Sequence, residues 1–269
     1  MRRKWRVLLV LLAVVVLLCT PPFATLRSMG IMSAYSAYCA QNSIEKQQGF
    51  SLEIPGGMLT GERDWYPLML FFDASSEFSR RTETETQLNI YYTFGAYDIW
   101  KGCSQLYDPQ SPYYTSFYGA YVVQGEEYRT LDLEKVVQVM EFDLFELVLD
   151  DFGLDPENEV FQWTVTGQQE LPEYVGVSDW LQVDADVTVN GAAHTQDGFR
   201  LSYLQYGAPG ANEGEAFVPV TLQGRMIGRY FEEWDCCIFF YILAADENVL
   251  EACDRRILSH TTFHRNSAK

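Results

Sequence analysis

The sequence predicts an α+β fold: a mostly antiparallel β-sheet with helices packed on its faces, in an α/β/α sandwich-like arrangement. Three observations predict it. Short runs in which apolar and polar residues alternate recur between turn residues, the period of a β-strand. The stretch WDCCIFFYILAAD, residues 234–246, is apolar on both alternating sets, so its strand must be covered on both faces. The segment LDLEKVVQVMEFDLFELVLDDFGLD, residues 131–155, carries an apolar arc too wide for a surface helix, and a sheet is the simplest broad surface to receive it.

The chain begins MRRKWRVLLVLLAVVVLLCTPPF, with Arg2, Arg3, Lys4 and Arg6 ahead of twelve apolar residues from Val7 to Leu18. That length suits a secretory signal and falls short of the roughly 20 residues that cross a bilayer. Counting on through Pro21 and Pro22 to Leu26 gives twenty residues, enough for a span. Residues 1–30 are therefore expected to be a signal peptide or an uncleaved N-terminal membrane anchor. Positive charge stays on the cytoplasmic side, so the chain beyond residue 30 is expected outside, tethered or secreted. A lipid-modified Cys19 is disfavoured by the bulky Leu18 before it. Residues 31–48, IMSAYSAYCAQNSIEKQQ, read as a stalk or short helix, 49–264 as a single extracytoplasmic domain, and 265–269 as a tail.

Charge narrows the partners. Of 19 Lys and Arg residues, five lie in the first thirty positions, leaving 14 against 37 Asp and Glu, a net charge of −23. Such a surface repels nucleic acid and anionic lipid and is open to cations or a basic partner. The expected partners are the membrane, through the N-terminal segment, and a protein or glycan at the cell envelope.

The domain's elements come in order. GFSLEIPGG alternates Phe50, Leu52 and Ile54 before a Pro-Gly-Gly stop. WYPLMLFFDAS (65–75) is a short apolar strand, and TETETQLNIYYTF (82–94) alternates from Thr82, with Leu88, Ile90, Tyr92 and Phe94 on one face. A turn-rich loop over 95–113 leads to the returning strand TSFYGAYVVQ (115–124), where Phe117, Tyr121 and Val123 read as core and Tyr118 belongs to the opposite face. The long helix starts at an Asp132 cap and ends at Gly153. EVFQWTV (159–165) alternates, and ADVTVNGAA is expected to pair with GFRLSYLQYG as an antiparallel hairpin. EAFVPVTLQGRMIGRYF and the doubly covered strand come next. A final helix runs from an Asp246 cap, with Val249, Cys253 and Ile257 toward the sheet.

Five cysteines lie beyond the targeting segment, and an oxidising compartment permits disulfides. The disulfide candidates are Cys253 with Cys236 or Cys237, which the helix and strand faces bring near one another, and Cys39 with Cys103.

GFSLEIPGGM and CIFFYILAADENVLEACDRRILSHTTFHR resemble the opening strand and the closing strand–helix unit of the PsbP/DcrB/Mog1-like superfamily. The strands between VTVNGAA and EEWDCCIFFY fit its antiparallel run, so about half the chain is covered, while residues 60–130 have no counterpart and SHTTF matches the ending only loosely. The resemblance implies an α/β/α sandwich in an exported, often membrane-tethered, non-enzymatic protein.

The chain lacks a G-x-S-x-G elbow, an HExxH pair, a phosphate-binding glycine loop and any CxxC pair, so no cofactor and no catalytic residue is assigned. His194 is expected in a solvated turn; His260 and His264 would share a metal only on a continuing helix, which Thr261 and Thr262 oppose. Asp150, Asp151, Asp155 and Glu157 are weak candidates for calcium, without EF-hand spacing. Tyr97, Trp100, Tyr107, Tyr113 and Tyr114 sit among Gly, Asp, Pro and Ser where no apolar period demands them. They are the expected ligand- or partner-binding surface, against the alternative that they cover a sheet edge.

The leading expectation is a tethered or secreted binding domain without catalytic activity, and the alternative is a secreted carboxylate-dependent hydrolase acting on surface glycan or peptide. A concave pocket gathering two carboxylates, one of them desolvated, would speak for the hydrolase. A third reading is a structural component of a membrane complex that uses the tyrosine-rich loop as its contact.

Overall fold

The computed structural model describes residues 2–18, 20–131, 133–195, 200–207 and 217–265. In chain order the helices are α1 (Arg2–Leu18), α2 (Pro21–Cys39), α3 (Ile44–Gln48), α4 (Gly57–Thr60), α5 (Ser75–Thr82), α6 (Leu133–Phe142), α7 (Asp150–Phe152), α8 (Arg200–Tyr206) and α9 (Glu247–Arg256). A π-helical stretch, Asp143–Leu149, joins α6 to α7. The strands are β1 (Phe50–Glu53), β2 (Leu70–Asp73), β3 (Gln87–Phe94), β4 (Tyr97–Asp98), β5 (Cys103–Ser104), β6 (Phe117–Gln124), β7 (Phe161–Tyr174), β8 (Val177–Asn190), β9 (Pro219–Phe231), β10 (Cys236–Ala244) and β11 (Thr262–Arg265). The Asp132 cap, Cys19 and most of the tail lie outside the described residues.

Seven strands form one antiparallel sheet in the order β2-β3-β6-β10-β9-β8-β7. The α+β expectation holds, and so does the doubly covered strand: all nine residues of β10 are buried. Cys237, Phe239, Tyr241 and Leu243 join one core, under α2, α5, α6, the π-helix and α8. Cys236, Ile238, Phe240, Ile242 and Ala244 join the other, under α3, α9 and the β1–β11 pair, in which Phe50 sits opposite Arg265. The long helix and the last helix thus cover opposite faces. Phe117, Tyr121 and Val123 lie in the first core and Tyr118 in the second, as their alternation predicts.

Several expectations change. Residues 200–206 are helical, so the hairpin expected between 185–193 and 198–207 does not form; β8 pairs with β7 and β9 instead. The β7–β8 hairpin turns at Val175 (φ 48°) and Gly176 (φ 74°), both left-handed, as a tight hairpin requires. A β-branched valine is the last residue expected there, which hid the turn and half of both strands. The strand expected from Thr82 begins at Gln87, because Ser75–Thr82 is helix and Glu83 turns the chain at φ 56°. The hydroxyls of Thr82, Thr84 and Thr86 then run as a chain, at 2.7 and 2.8 Å, to the Glu127 carboxylate.

Residues 31–48 do not stand off as a stalk. Met32 and Ile44 are buried, and Ser36 Oγ accepts the Phe71 N–H at 3.1 Å, fixing α2 beside β2. Nor does one helix run to Leu26. Thr20 is extended and Pro21 begins a new helix, so α1 and α2 meet at 82°. Prolines supply no N–H to continue the ladder, which is why the break falls there. No single helix among the described residues is long and apolar enough to cross a membrane; the bent pair together has the length and composition.

Opposite the long helix, Arg225 holds α9 to the sheet. Its Nε, Nη2 and Nη1 meet Asp184, Glu251 and Asp254 at 2.7, 2.8 and 2.7 Å, and Tyr174 donates to Asp254 at 2.8 Å. All five described cysteines after the targeting segment are free thiols. Cys253 does face the sheet, in the core that contains Cys236, while Cys237 faces the other way, and Cys39 is on α2 with Cys103 in the short β5. Neither expected disulfide is formed.

Candidate functional site

A cavity of about 210 Å³ opens between the sheet and the π-helix. Its floor is made by β3, β6 and β10, which present Tyr92, Phe117, Tyr121 and Tyr241. Its roof is Asp143, Glu146 and Leu147 of the π-helix with Asp151 of α7. Tyr35 of α2 and Phe72 of β2 close one side, their rings stacked at 6.2 Å, and Gln205 and Tyr206 of α8 close another.

The floor is aromatic because these positions share one face of adjacent strands. Tyr121 and Tyr241 lie on neighbouring strands and stack at 4.4 Å with an interplanar angle of 10°. The Tyr121 hydroxyl donates to Asp143 Oδ2 at 2.8 Å, leaving the second carboxyl oxygen without a hydrogen bond among the described residues. Tyr241 donates to the Tyr91 carbonyl at 3.2 Å, across Gly119. Gln205 Nε2 donates to the Tyr92 hydroxyl, and Tyr97 donates to the Gln205 carbonyl while meeting Ser28 Oγ at 2.9 Å, which ties α8 to α2.

A helix with 3.6 residues per turn keeps one face along its length, whereas i→i+5 turns shift that phase, and such bulges are frequent at functional sites. Here the shift coincides with a buried acid. Desolvation pushes the Asp143 carboxyl up to about 7, opposed by the Tyr121 hydrogen bond. Desolvation, with the nearby Asp150 charge, raises Asp151 to about 6. Burial lifts the hydroxyls of Tyr92, Tyr121, Tyr206 and Tyr241 well above the usual phenol range, so they stay protonated donors.

The five aromatic residues expected to form a contact surface separate. Tyr107 is buried in the first core, beside Phe152, and Tyr97 is buried with both its bonds turned inward. Tyr113 is half-buried, edge-on to Trp65 at 5.0 Å, and Tyr114 lies across Gly191, where a Cβ would come within 2.2 Å of its hydroxyl. Only Trp100, 82 % exposed, projects to solvent. Packing against α2, α7 and α8 claims Tyr97 and Tyr107, while Trp65 and Gly191 receive Tyr113 and Tyr114. His194 is likewise not solvated; it is buried, with Nε2 2.8 Å from Ser202 Oγ.

The calcium candidates diverge. Asp155 Oδ1 accepts the Glu157 N–H to cap a short turn, and Asp151 faces the cavity. His264 lies on β11 and His260 on the turn before it. Among the described residues no group of three or more His, Cys, Asp or Glu is placed to hold a metal ion. Sequence reasoning missed Asp143, although a signal existed: it stands three residues after Met140 and four before Leu147, on the apolar stripe itself.

No protein family, curated protein or solved structure matches this chain.

Proposed function

We propose that this protein is a membrane-tethered or secreted extracytoplasmic domain that binds a small, largely apolar molecule in the cavity beneath the π-helix. One observation carries the reading: Asp143, a buried ionisable group, faces an aromatic cavity with one carboxyl oxygen unengaged. A buried acid costs stability, so a group of this kind in a cleft marks a functional site. A dry cavity of about 150 Å³ takes benzene, so one of about 210 Å³ accommodates a somewhat larger ring system.

The tether is supported by α1, whose residues from Val7 to Leu17 project with exposed side chains, apart from the body. Beside its root lies the loop carrying exposed Ile99 and Trp100, because Gly102 packs so closely on Pro21 that a Cβ would lie 3.2 Å from its Cα. Tryptophan beside an apolar helix is suited to the membrane interface.

The test takes the full chain, mixes it with phosphatidylcholine vesicles and titrates 2-naphthol, a neutral fluorescent ring pair. The chain is expected to float with the vesicles and to shift the probe's emission saturably, and Val148→Trp, which fills the cavity, is expected to abolish the shift. Failure to float removes the tether; an unchanged titration in Val148→Trp removes the pocket.

Asp143 and Asp151 in one cleft, the first desolvated, favour a second reading, hydrolysis by the carboxyl pair. That pair in one cleft is the observation named for the hydrolase alternative. Turnover of 4-nitrophenyl glycosides or peptide anilides that disappears in both Asp143→Asn and Asp151→Asn would establish hydrolysis; no turnover by the native chain would end it.

A further inference from the structure

We propose that the molecule seated in the cavity is an organic cation, a protonated or quaternary amine carried on an apolar, ring-sized body. This rests on reading the cavity as a binding site and adds the charge and chemical class of what binds there.

Three features of the cavity converge on that class. Its charged lining is of one sign: Asp143, Glu146 and Asp151 border it, and none of the described lining residues is Lys, Arg or His. Arg81 meets Glu146 at 3.5 Å at an exposed position and so offsets the acid at the rim, not the one inside. Next, Asp143 is more than nine-tenths buried, and Tyr121 occupies only one of its oxygens. The other oxygen is placed to accept a charge-assisted hydrogen bond or to face a bulkier ammonium. Finally, seven tyrosine and phenylalanine rings line the cavity, whose negative faces attract a cation, and with Ile90, Leu144, Leu147, Val148 and Leu243 they offer area that suits the rest of an apolar molecule.

The competing classes fit worse. An anion would meet three carboxyl groups with no base to receive it. A neutral molecule would satisfy the rings and could at most donate a hydrogen bond to Asp143, without the attraction of opposite charges once that group ionises. Long-range attraction acts in the same direction, since the chain carries a formal net charge of −18.

The experiment compares three probes that share a phenyl body: 2-phenylethylamine, 2-phenylethanol and phenylacetate, titrated calorimetrically into the full chain on vesicles at a pH just above neutral. The amine is expected to bind at least about tenfold more tightly than the alcohol, with phenylacetate weakest. Asp143→Asn keeps an acceptor for Tyr121 and is expected to bring amine and alcohol within about twofold of each other. An alcohol or phenylacetate that binds as tightly as the amine overturns the cation while leaving the cavity a binding site. A preference for the amine that persists undiminished in Asp143→Asn overturns it as well. If none of the three binds and 2-naphthol also fails, the pocket reading falls with it.

Discussion

Replacing Asp143 by asparagine is expected to raise the melting temperature at pH 8 and to leave it unchanged at pH 4. In the unfolded chain the carboxyl ionises near its ordinary value of 3.8, whereas in the folded protein burial holds it protonated up to about 7. Below the lower value both states carry the proton and nothing is lost. As pH rises between the two, the unfolded state releases its proton freely while the folded state does not, so stability falls until the folded carboxyl ionises. A shift of about three pH units corresponds to about 4 kcal/mol, of which the neutral amide is relieved. Glu45 and Asp151, also raised by desolvation, act in the same direction; exposed Asp235, lowered by its hydrogen bond from Arg129, acts in the opposite one. Thermal unfolding of both proteins from pH 4 to 9 checks this. Superimposable pH profiles would mean that Asp143 is not held protonated in the fold. The stability lost to this carboxyl is what gives the cavity its acid, the exchange expected where a site needs a group the core does not.

Gly119→Ala is expected to prevent folding or to cost more than about 4 kcal/mol, the range reserved for a backbone that has nowhere to go. A Cβ on residue 119 would lie 1.8 Å from the Tyr91 carbonyl oxygen and 2.6 Å from its carbon. That carbonyl is the one Tyr241 reaches with its hydroxyl, so the missing side chain at 119 is what lets a bond cross the sheet surface. β6 cannot retreat, because it is paired to β3 on one side and β10 on the other. Neighbouring Ala120→Gly is the control: it changes the same strand by the same methyl and is expected to cost about 1 kcal/mol. Melting curves for the two variants decide the matter. A Gly119→Ala protein that melts with the native one would show that β3 and β6 are not held at this spacing.

Much of the architecture was legible because it is written in local periods. Alternation in CCIFFYILA assigned each side chain of β10 to its face, and the apolar stripes of the two long helical segments assigned them to a sheet. Those signals need only neighbours in sequence. Val175–Gly176 shows where they stop: a valine at positive φ is tolerated only when two strands are already paired around it. Residues 200–206 show the same limit. LSYLQY has the apolar content of either element, and what decides for helix is that Tyr206 packs on Phe94 and Phe152 while Gln205 bonds Tyr92.

By itself the sequence determined the fold class, the doubly covered central strand, the faces of Phe117, Tyr118 and Tyr121, the acidic surface and the apolar N-terminal helix. Each comes from composition or from a repeat shorter than a helical turn. Only the tertiary structure decided which tyrosines are buried, that residues 31–48 lie on the sheet, and where the candidate site is. The cavity draws on β2, β3, β6, β10, α2, α7, α8 and the π-helix, and Asp143 becomes an unusual acid only when all of them have excluded water from it. Desolvation is a property of the whole enclosure, so no window of the chain could announce it.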